Sequence, residues 1–422
     1  MTKQEAVIKY IEDNYLQFRR LRHDVISDKL QIRLSGEKAM RLLGESQEYW
    51  REMTKNDINS IVCHCAQECD VNITSREVMT ALQSDLIPDV HPLREYILSL
   101  KPYTPDQPDW IDMVASQVKV KPSGEEAKGN KARGEELWRA CFKKWFVAMV
   151  ASWMKDEVVN HQVLVLIGKQ GIYKTTWLEH LIPPHLRTYA CKLANSNELN
   201  KDERMRIAEF GLISLDEIDS MNNRELNQLK SIITATDVNE RAAYAYTKER
   251  RVRLASFCAS GNRRDFLTDI TGNRRWLPFE VESIQNPFTT ILPYERMYAQ
   301  AWALANDEFF SYWFDLEEIE VLEQHNQHFR DESNEEQLLD VYFTVPPTDA
   351  TNAKFLTTAE ISERLIYYGN IKKPMTLSRL GVLLSQKGFL SVRRGNPSRR
   401  GWIIYERESQ EVNAERAILS KH

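Results

Sequence analysis

Cysteine is scarce, with six in 422 residues, so no disulfide framework holds this chain together and a reducing compartment suits it. Glycine and proline are held to 15 each, which excludes collagen-like repeats and long low-complexity linkers. Long hydrophobic runs are missing too: the densest apolar stretch, Trp145 to Trp153, falls far short of the ~18 residues of a membrane span. The first twenty residues are too charged for a secretory leader, and a cytoplasmic location away from membrane is expected. Nor is there a large excess of one charge. With 61 acidic and 56 basic residues the net is -5, so any nucleic-acid contact has to be a local patch.

What is present is enough apolar residue, 42%, to fill two or three domains of roughly 150 residues each. Residues 1–120 show apolar positions at three- and four-residue spacing, as in Leu93, Tyr96, Ile97 and Leu100 after Pro92, and are expected to form a mostly helical domain. Cys63, His64, Cys65 and Cys69 lie within it. Their spacing lacks the second pair that a tetrahedral metal site needs, so they are read as part of a helix. A polar stretch at 118–136 is expected to be an exposed loop. It leads to a long helix, Glu135 to Asp156, with Leu137, Trp138, Cys141, Trp145, Met149 and Trp153 on a broad apolar stripe.

From 162 to 281, strand-length apolar runs (QVLVLIG, YACKL, FGLISLD, RLASFCAS, WLPFEV) alternate with helical segments near 175–182, 197–209 and 223–235. That alternation predicts an α/β domain over 137–306, a parallel sheet with helices on its faces. Residues 307–353 are expected to be an acidic helical connector ending in the hinge VPPTDATNA, where consecutive prolines forbid helix. Residues 354–407 hold two helical patterns and a hairpin and are expected to form a basic winged-helix-like domain, with 408–422 a tail.

The strongest chemical signal is strand, glycine loop, helix: VLVLIG, KQGIYKTT, WLEHL. In a phosphate-binding loop, backbone amides point at phosphate oxygens, a lysine neutralises them and a hydroxyl meets Mg²⁺. Gly168, Lys174 and Thr175 fit those places, with Gly171 in the loop and Thr176 beside it. Tyr173 stands where the pattern has its second glycine, and its side chain is expected to strain the loop. About 40 residues on, FGLISL delivers Asp216 and Glu217 to the end of a strand, the first suited to holding Mg²⁺ and the second to polarising an attacking water. RLASFCAS ends before Asn262, a neutral amide able to orient that water. TGNRRW supplies Arg274 and Arg275, whose forks suit developing phosphate charge on a neighbouring subunit.

In order and spacing, HPLREYILSL, the Trp-rich helix, GKQGIYKTT, LISLDEID, FCASGNRRDFL and TGNRRWLPFEV resemble the virulence-associated protein E family over roughly residues 85–285. The resemblance implies a P-loop NTPase of the AAA+ class, similar to superfamily 3 helicases of phages and mobile elements. It makes Lys174 and Thr175 Walker A, Asp216 and Glu217 Walker B, Asn262 sensor 1, and Arg274 or Arg275 the arginine finger. ATP and Mg²⁺ are the implied cofactors, and a homo-oligomeric ring, a hexamer by that resemblance, is the implied assembly. A primase-like module is not seen here, so priming would fall to a separate protein.

Two stretches could touch DNA, single-stranded or forked. RAAYAYTKERRVR interleaves Tyr244 and Tyr246 with Lys248, Arg250, Arg251 and Arg253, pairing rings for bases with cations for phosphates. The C-terminal hairpin carries Arg393, Arg394, Arg399 and Arg400 around a Gly-Asn-Pro-Ser tip, in a span (371–402) without one acidic residue. The leading expectation is an ATP-dependent DNA helicase or translocase. The alternative is a nucleotide-switched DNA-binding scaffold, a replication initiator or host-interference factor, with slow turnover. A metabolic phosphotransferase would have no use for a basic wing.

Overall fold

The computed structural model describes residues 2–34, 49–122, 131–193, 201–240, 249–267, 273–330, 333–346, 352–394 and 398–419. The chain is mixed α/β and divides into two units, residues 1–263 with 274–322, and residues 264–273 with 323–422.

The first unit begins with a four-stranded sheet that the periodicity of residues 1–120 did not reveal. Its strands are β1 (Leu21–Asp24), β2 (Lys29–Leu34), β3 (Tyr49–Glu52) and β4 (Asp89–Val90), in the order β3-β2-β1-β4. Helices Lys3–Ile11, Lys55–Cys69 and Ser75–Leu82 pack into a small core of their own around Val7, Ile61 and Val78. Cys65 is buried there, its thiol 3.8 Å from the Ala6 carbonyl. Helix still outweighs strand over residues 1–120, and the sheet is an addition to the helical reading: Arg22 and Asp24 are buried polar residues on β1, and they break the alternation by which a half-buried strand is recognised.

The boundary expected near residue 120 also moves. Helices Pro92–Ser99 and Trp110–Ala115 contribute Leu93, Ile97, Ile111 and Val114 to the central core. Residues 118–120, expected in the exposed loop, form β5 (Val118–Val120), antiparallel to the strand at 276–284. Residues 123–130 of that loop lie outside the described residues, and Lys131 already opens the next helix.

The central sheet has β6 (Val163–Ile167) in its middle. β11 (Ser256–Gly261) and β12 (Trp276–Ile284) flank it in parallel, and β8 (Leu212–Leu215) and β7 (Ala190–Leu193) follow β11, also in parallel. All five residues of β6 are fully buried, as expected of a strand covered on both faces. Helix Lys131–Met154 covers one face. Its first half is amphipathic, with Trp138, Cys141 and Phe142 buried and Glu136 and Ala140 exposed, whereas residues 145–151 are buried without interruption and make the second half an interior helix. Three indoles pin it by donating to backbone carbonyls: Trp138 to Ala115 (2.9 Å), Trp145 to Phe257 (3.1 Å) and Trp153 to Gly211 (3.0 Å). Among the described residues no helix is long and apolar enough to cross a membrane.

His91 caps helix Pro92–Ser99, its Nδ1 accepting from the Arg94 amide at 3.2 Å. Burial, with Arg94 adding to it, pushes its pKa down to about 4. The unfolded chain therefore takes up the proton first. Stability is complete above about pH 6.5 and is lost as pH falls toward 4, by on the order of 3 kcal/mol. His91→Asn keeps an acceptor at the cap and is expected to flatten this window, as read from urea midpoints at pH 7.5 and 5.

The second unit, by itself, packs helices Asn334–Tyr342, Thr358–Gly369 and Leu377–Gln386 around Leu339, Leu365, Leu384 and Trp402. Strands β13 (Phe343–Thr344), β14 (Lys354–Leu356) and β15 (Leu390–Arg394) all pair antiparallel with β16 (Arg399–Glu406). The stretch expected as a tail begins with a further helix, Ser409–Leu419. Most of the proline hinge, residues 347–351, lies outside the described residues.

Candidate functional site

The C-terminal ends of β6, β8 and β11 lie side by side, and the loop after each adds one part of a site. From β6 the chain turns at Gly168, where a Cβ would come within 2.9 Å of the Val281 carbonyl oxygen. Only glycine fits that approach. Gly171 follows with φ +84, and helix Lys174–His180 begins.

Tyr173 has φ 69 and ψ 18, the left-handed region expected to strain it. This conformation costs a residue with a Cβ roughly 1–2 kcal/mol. The residue is 38% exposed, and its ring meets Phe288 edge-on at 6.4 Å. Tyr173→Gly is expected to raise stability by about 1 kcal/mol, the backbone relief offset in part by a freer unfolded chain. A lowered urea midpoint would show instead that the packing against Phe288 dominates.

Lys174 is 7% exposed. Its ammonium donates to the carbonyls of Gly168 (2.8 Å) and Lys169 (2.7 Å) and to Asn262 Oδ1 (3.3 Å). Burial lowers its pKa, against the opposing pull of Asp219 and Asp216. Thr175 Oγ1 lies 3.2 Å from Asp216 Oδ1 and 2.8 Å from Ser260 Oγ, and Ser260 Oγ in turn donates to Asp216 Oδ1 at 2.7 Å. On the other side of the carboxylate, Lys192 of β7 pairs with Asp216 Oδ2 at 2.7 Å. Burial alone would raise the pKa of Asp216, but the bonds from Lys192 and Ser260 outweigh it and hold the carboxyl below its ordinary range. Asp216 is a carboxylate at neutral pH.

The geometry therefore brings together Gly168, Lys174, Thr175, Asp216 and Asn262, with Gly171, Tyr173 and Thr176 in the same turn. Glu217 is next in the chain, exposed, with φ 52. Three participants escaped sequence reading. Ser260 and Lys192 are ordinary strand residues until the sheet order places them beside Asp216. Asp219 accepts from the amides of Asn262 and Arg263, both at 3.1 Å, and so fixes the turn carrying Asn262. Gly261 makes room for that carboxylate, since a Cβ there would meet Asp219 Oδ1 at 2.8 Å.

Arg274 and Arg275 are not brought to this site. They precede β12, whose Trp276 pairs with Val163 and whose Glu280 pairs with Ile167. The two arginines thus sit at the end of the sheet opposite the glycine loop, roughly 17 Å away along the strand.

Residues 128–337 match the virulence-associated protein E-like domain. The match to this VapE-like domain starts later than the resemblance read from the motifs and runs further. It leaves out HPLREYILSL and takes in helix Leu316–Asn326. In sequence the chain matches no curated protein. Among solved structures it is similar to two apo structures of the NrS-1 C-terminal region. For the A form the identity is 10% and the TM-score 0.47, over 95% of this chain and 99% of that one; for the other, 11% and 0.46, over 96% and 100%.

Of the residues expected to touch DNA, Tyr244, Tyr246 and Lys248 lie outside the described residues. Arg250 is on β10 (Glu249–Val252), which pairs with β9 (Asp237–Glu240) at the base of that segment. Arg253 is a correction. It is 1% exposed and donates to the carbonyls of Ala255 (2.9 Å), Asn160 (2.8 Å) and Ile233. Helix Asn223–Thr234 ends over it, where the last carbonyls lack the next turn's amides, and a guanidinium meets several of them at once. It is thus a structural cap that DNA cannot reach. Arg251 is half-buried, donating to the Ile26 carbonyl at 2.8 Å and pairing with Glu209 at 3.4 Å. Arg393, Arg394, Arg399 and Arg400 are exposed. They face each other across the hairpin, Arg393 opposite Arg400 and Arg394 opposite Arg399.

Proposed function

We propose that this chain is an ATP-dependent DNA helicase or translocase of a phage or mobile element, working as a homo-oligomeric ring in DNA replication. One observation carries the reading: a buried lysine ammonium held by the carbonyls of its own glycine loop, with a hydroxyl, a carboxylate and an amide from three strand ends gathered around it.

In this reading Lys174 and the amides of the 168–175 turn hold the β- and γ-phosphates of ATP. Thr175 and Asp216 would hold Mg²⁺. A hydroxyl and an ionised carboxylate 3.2 Å apart are the hard oxygen donors that ion takes, and it supplies charge neutralisation between the phosphates. Lys192 shares the same carboxylate and would yield part of it. Glu217 would polarise the attacking water, Asn262 would orient it, and Arg274 or Arg275 would come from the neighbouring subunit, as their place at the far end of the sheet requires. Because DNA carries a phosphate at every step, the paired arginines of the C-terminal hairpin favour it as partner. Like charges directly opposite on a ladder destabilise it unless an anion lies between them.

A second reading draws on Tyr173. Its left-handed backbone, at φ 69, suits a scaffold that binds ATP tightly and turns over slowly. Steady-state ATP hydrolysis with and without single-stranded DNA separates the two. A DNA-stimulated rate supports the motor, whereas ATP binding without measurable turnover, rescued in Tyr173→Gly, supports the switch.

A further inference from the structure

A cavity lined by none of the glycine-loop residues lies between the N-terminal sheet and the segment that leads into β7. Its volume is about 960 Å³, at the upper end of the range for small-molecule sites. Arg19, Arg22 and Arg33 are among the described residues that line it, together with Glu95.

Arg22 sets its chemistry. Its side chain is only 8% exposed, and a cation so far removed from water must have its donors engaged. Nε donates to Gln31 (2.8 Å), Nη1 donates to Glu95 (2.6 Å), and the plane lies 4.1 Å from the centre of the Trp50 ring. Gln31 is itself held by Asp24, which is fully buried and also accepts from Tyr189 at 2.8 Å. Nη2 has no hydrogen-bond partner among the described residues, yet it is not sealed away from solvent. Arg22 thus holds a fixed, stacked guanidinium with one pair of donors open to the cavity. Such a fork binds phosphate oxygens, and the guanidinium and indole planes beside it are surfaces on which a base stacks.

We infer that this cavity binds a nucleotide unit, the phosphate on Arg22 with Arg19 and Arg33 and the base on the Trp50 side. No residue of the glycine loop takes part, so the cavity would bind its ligand whether or not that loop hydrolyses ATP. A nucleotide unit comes either free or as part of a single strand, and binding to the full chain distinguishes the two. The probes are fluorescein-labelled oligothymidylate, followed by anisotropy over a salt series, and dTMP, followed by equilibrium dialysis. Arg19→Glu with Arg33→Glu is expected to weaken oligothymidylate binding at least ~10-fold and to flatten the salt slope by about 0.7 for each phosphate no longer neutralised. ATP hydrolysis should be unchanged. Trp50→Leu should weaken binding and Trp50→Phe restore it. Should Trp50→Leu fail to fold, the two rim arginines still decide the matter. Weaker binding of oligothymidylate alone means that the cavity reads a strand, and weaker binding of both probes means that it takes free nucleotide. Unchanged affinity for both probes in the double arginine variant overturns the inference.

Discussion

Replacing Lys174 by alanine is expected to abolish ATP binding and leave the chain folded. The ammonium is the one buried cation of the loop, and a charge-assisted hydrogen bond to phosphate contributes roughly 1.5–3 kcal/mol. Loss of two such bonds lowers affinity about 100-fold or more. The fold should survive, because Nζ donates mainly to the Gly168 and Lys169 carbonyls, which water can satisfy in the open turn. Equilibrium binding of a fluorescent ATP analogue, with circular dichroism as the check on folding, reads both halves. Retained affinity in a folded variant would remove the nucleotide from this site.

The second large effect is expected at Glu217 and Arg275. Glu217→Gln keeps the shape of the side chain and removes the base, so turnover should fall by about 10²–10⁴ with ATP binding preserved. Arg275→Ala should also spare binding and reduce turnover. Mixing the two variants should restore part of the activity, since a mixed ring contains junctions at which an intact Glu217 faces an intact Arg275. Absence of any restoration would show that the arginine acts elsewhere. If Arg274 is the finger instead, Arg274→Ala takes the place of Arg275→Ala in the mixture.

The parts of the fold that could be read in the sequence are those where one face or one run carries the signal. VLVLIG is apolar throughout because β6 is covered on both sides, and the helical segments between the strands keep their period. The N-terminal sheet was hidden for the opposite reason. Arg22 and Asp24 are buried on β1 through bonds to Gln31 on the next strand and to Glu95 and Tyr189 far off in sequence, and each looks like a surface residue until those partners are known. Arg253 shows the same limit. In the run KERRVR it reads as one more exposed cation, and only the carbonyls at the end of helix Asn223–Thr234 explain why it turns inward.

The candidate site divides along the same line. Lys174, Thr175 and Asp216 stand in local patterns whose chemistry fixes their spacing, and they meet in the structure. Lys192 and Ser260 carry no local pattern. They reach Asp216 because β7, β8 and β11 are neighbours in the sheet, a fact of topology rather than of composition.

The position of Arg274 and Arg275 at the far end of β12 has a kinetic consequence. If the proposed roles hold, a chain whose phosphate loop and arginines sit at opposite ends of one sheet owns two half-sites and no whole one. If the finger is needed for turnover, the rate per molecule depends on how many molecules are joined. Specific activity would then fall on dilution with an apparent order above one in protein, and turnover would wait until enough copies had gathered in one place.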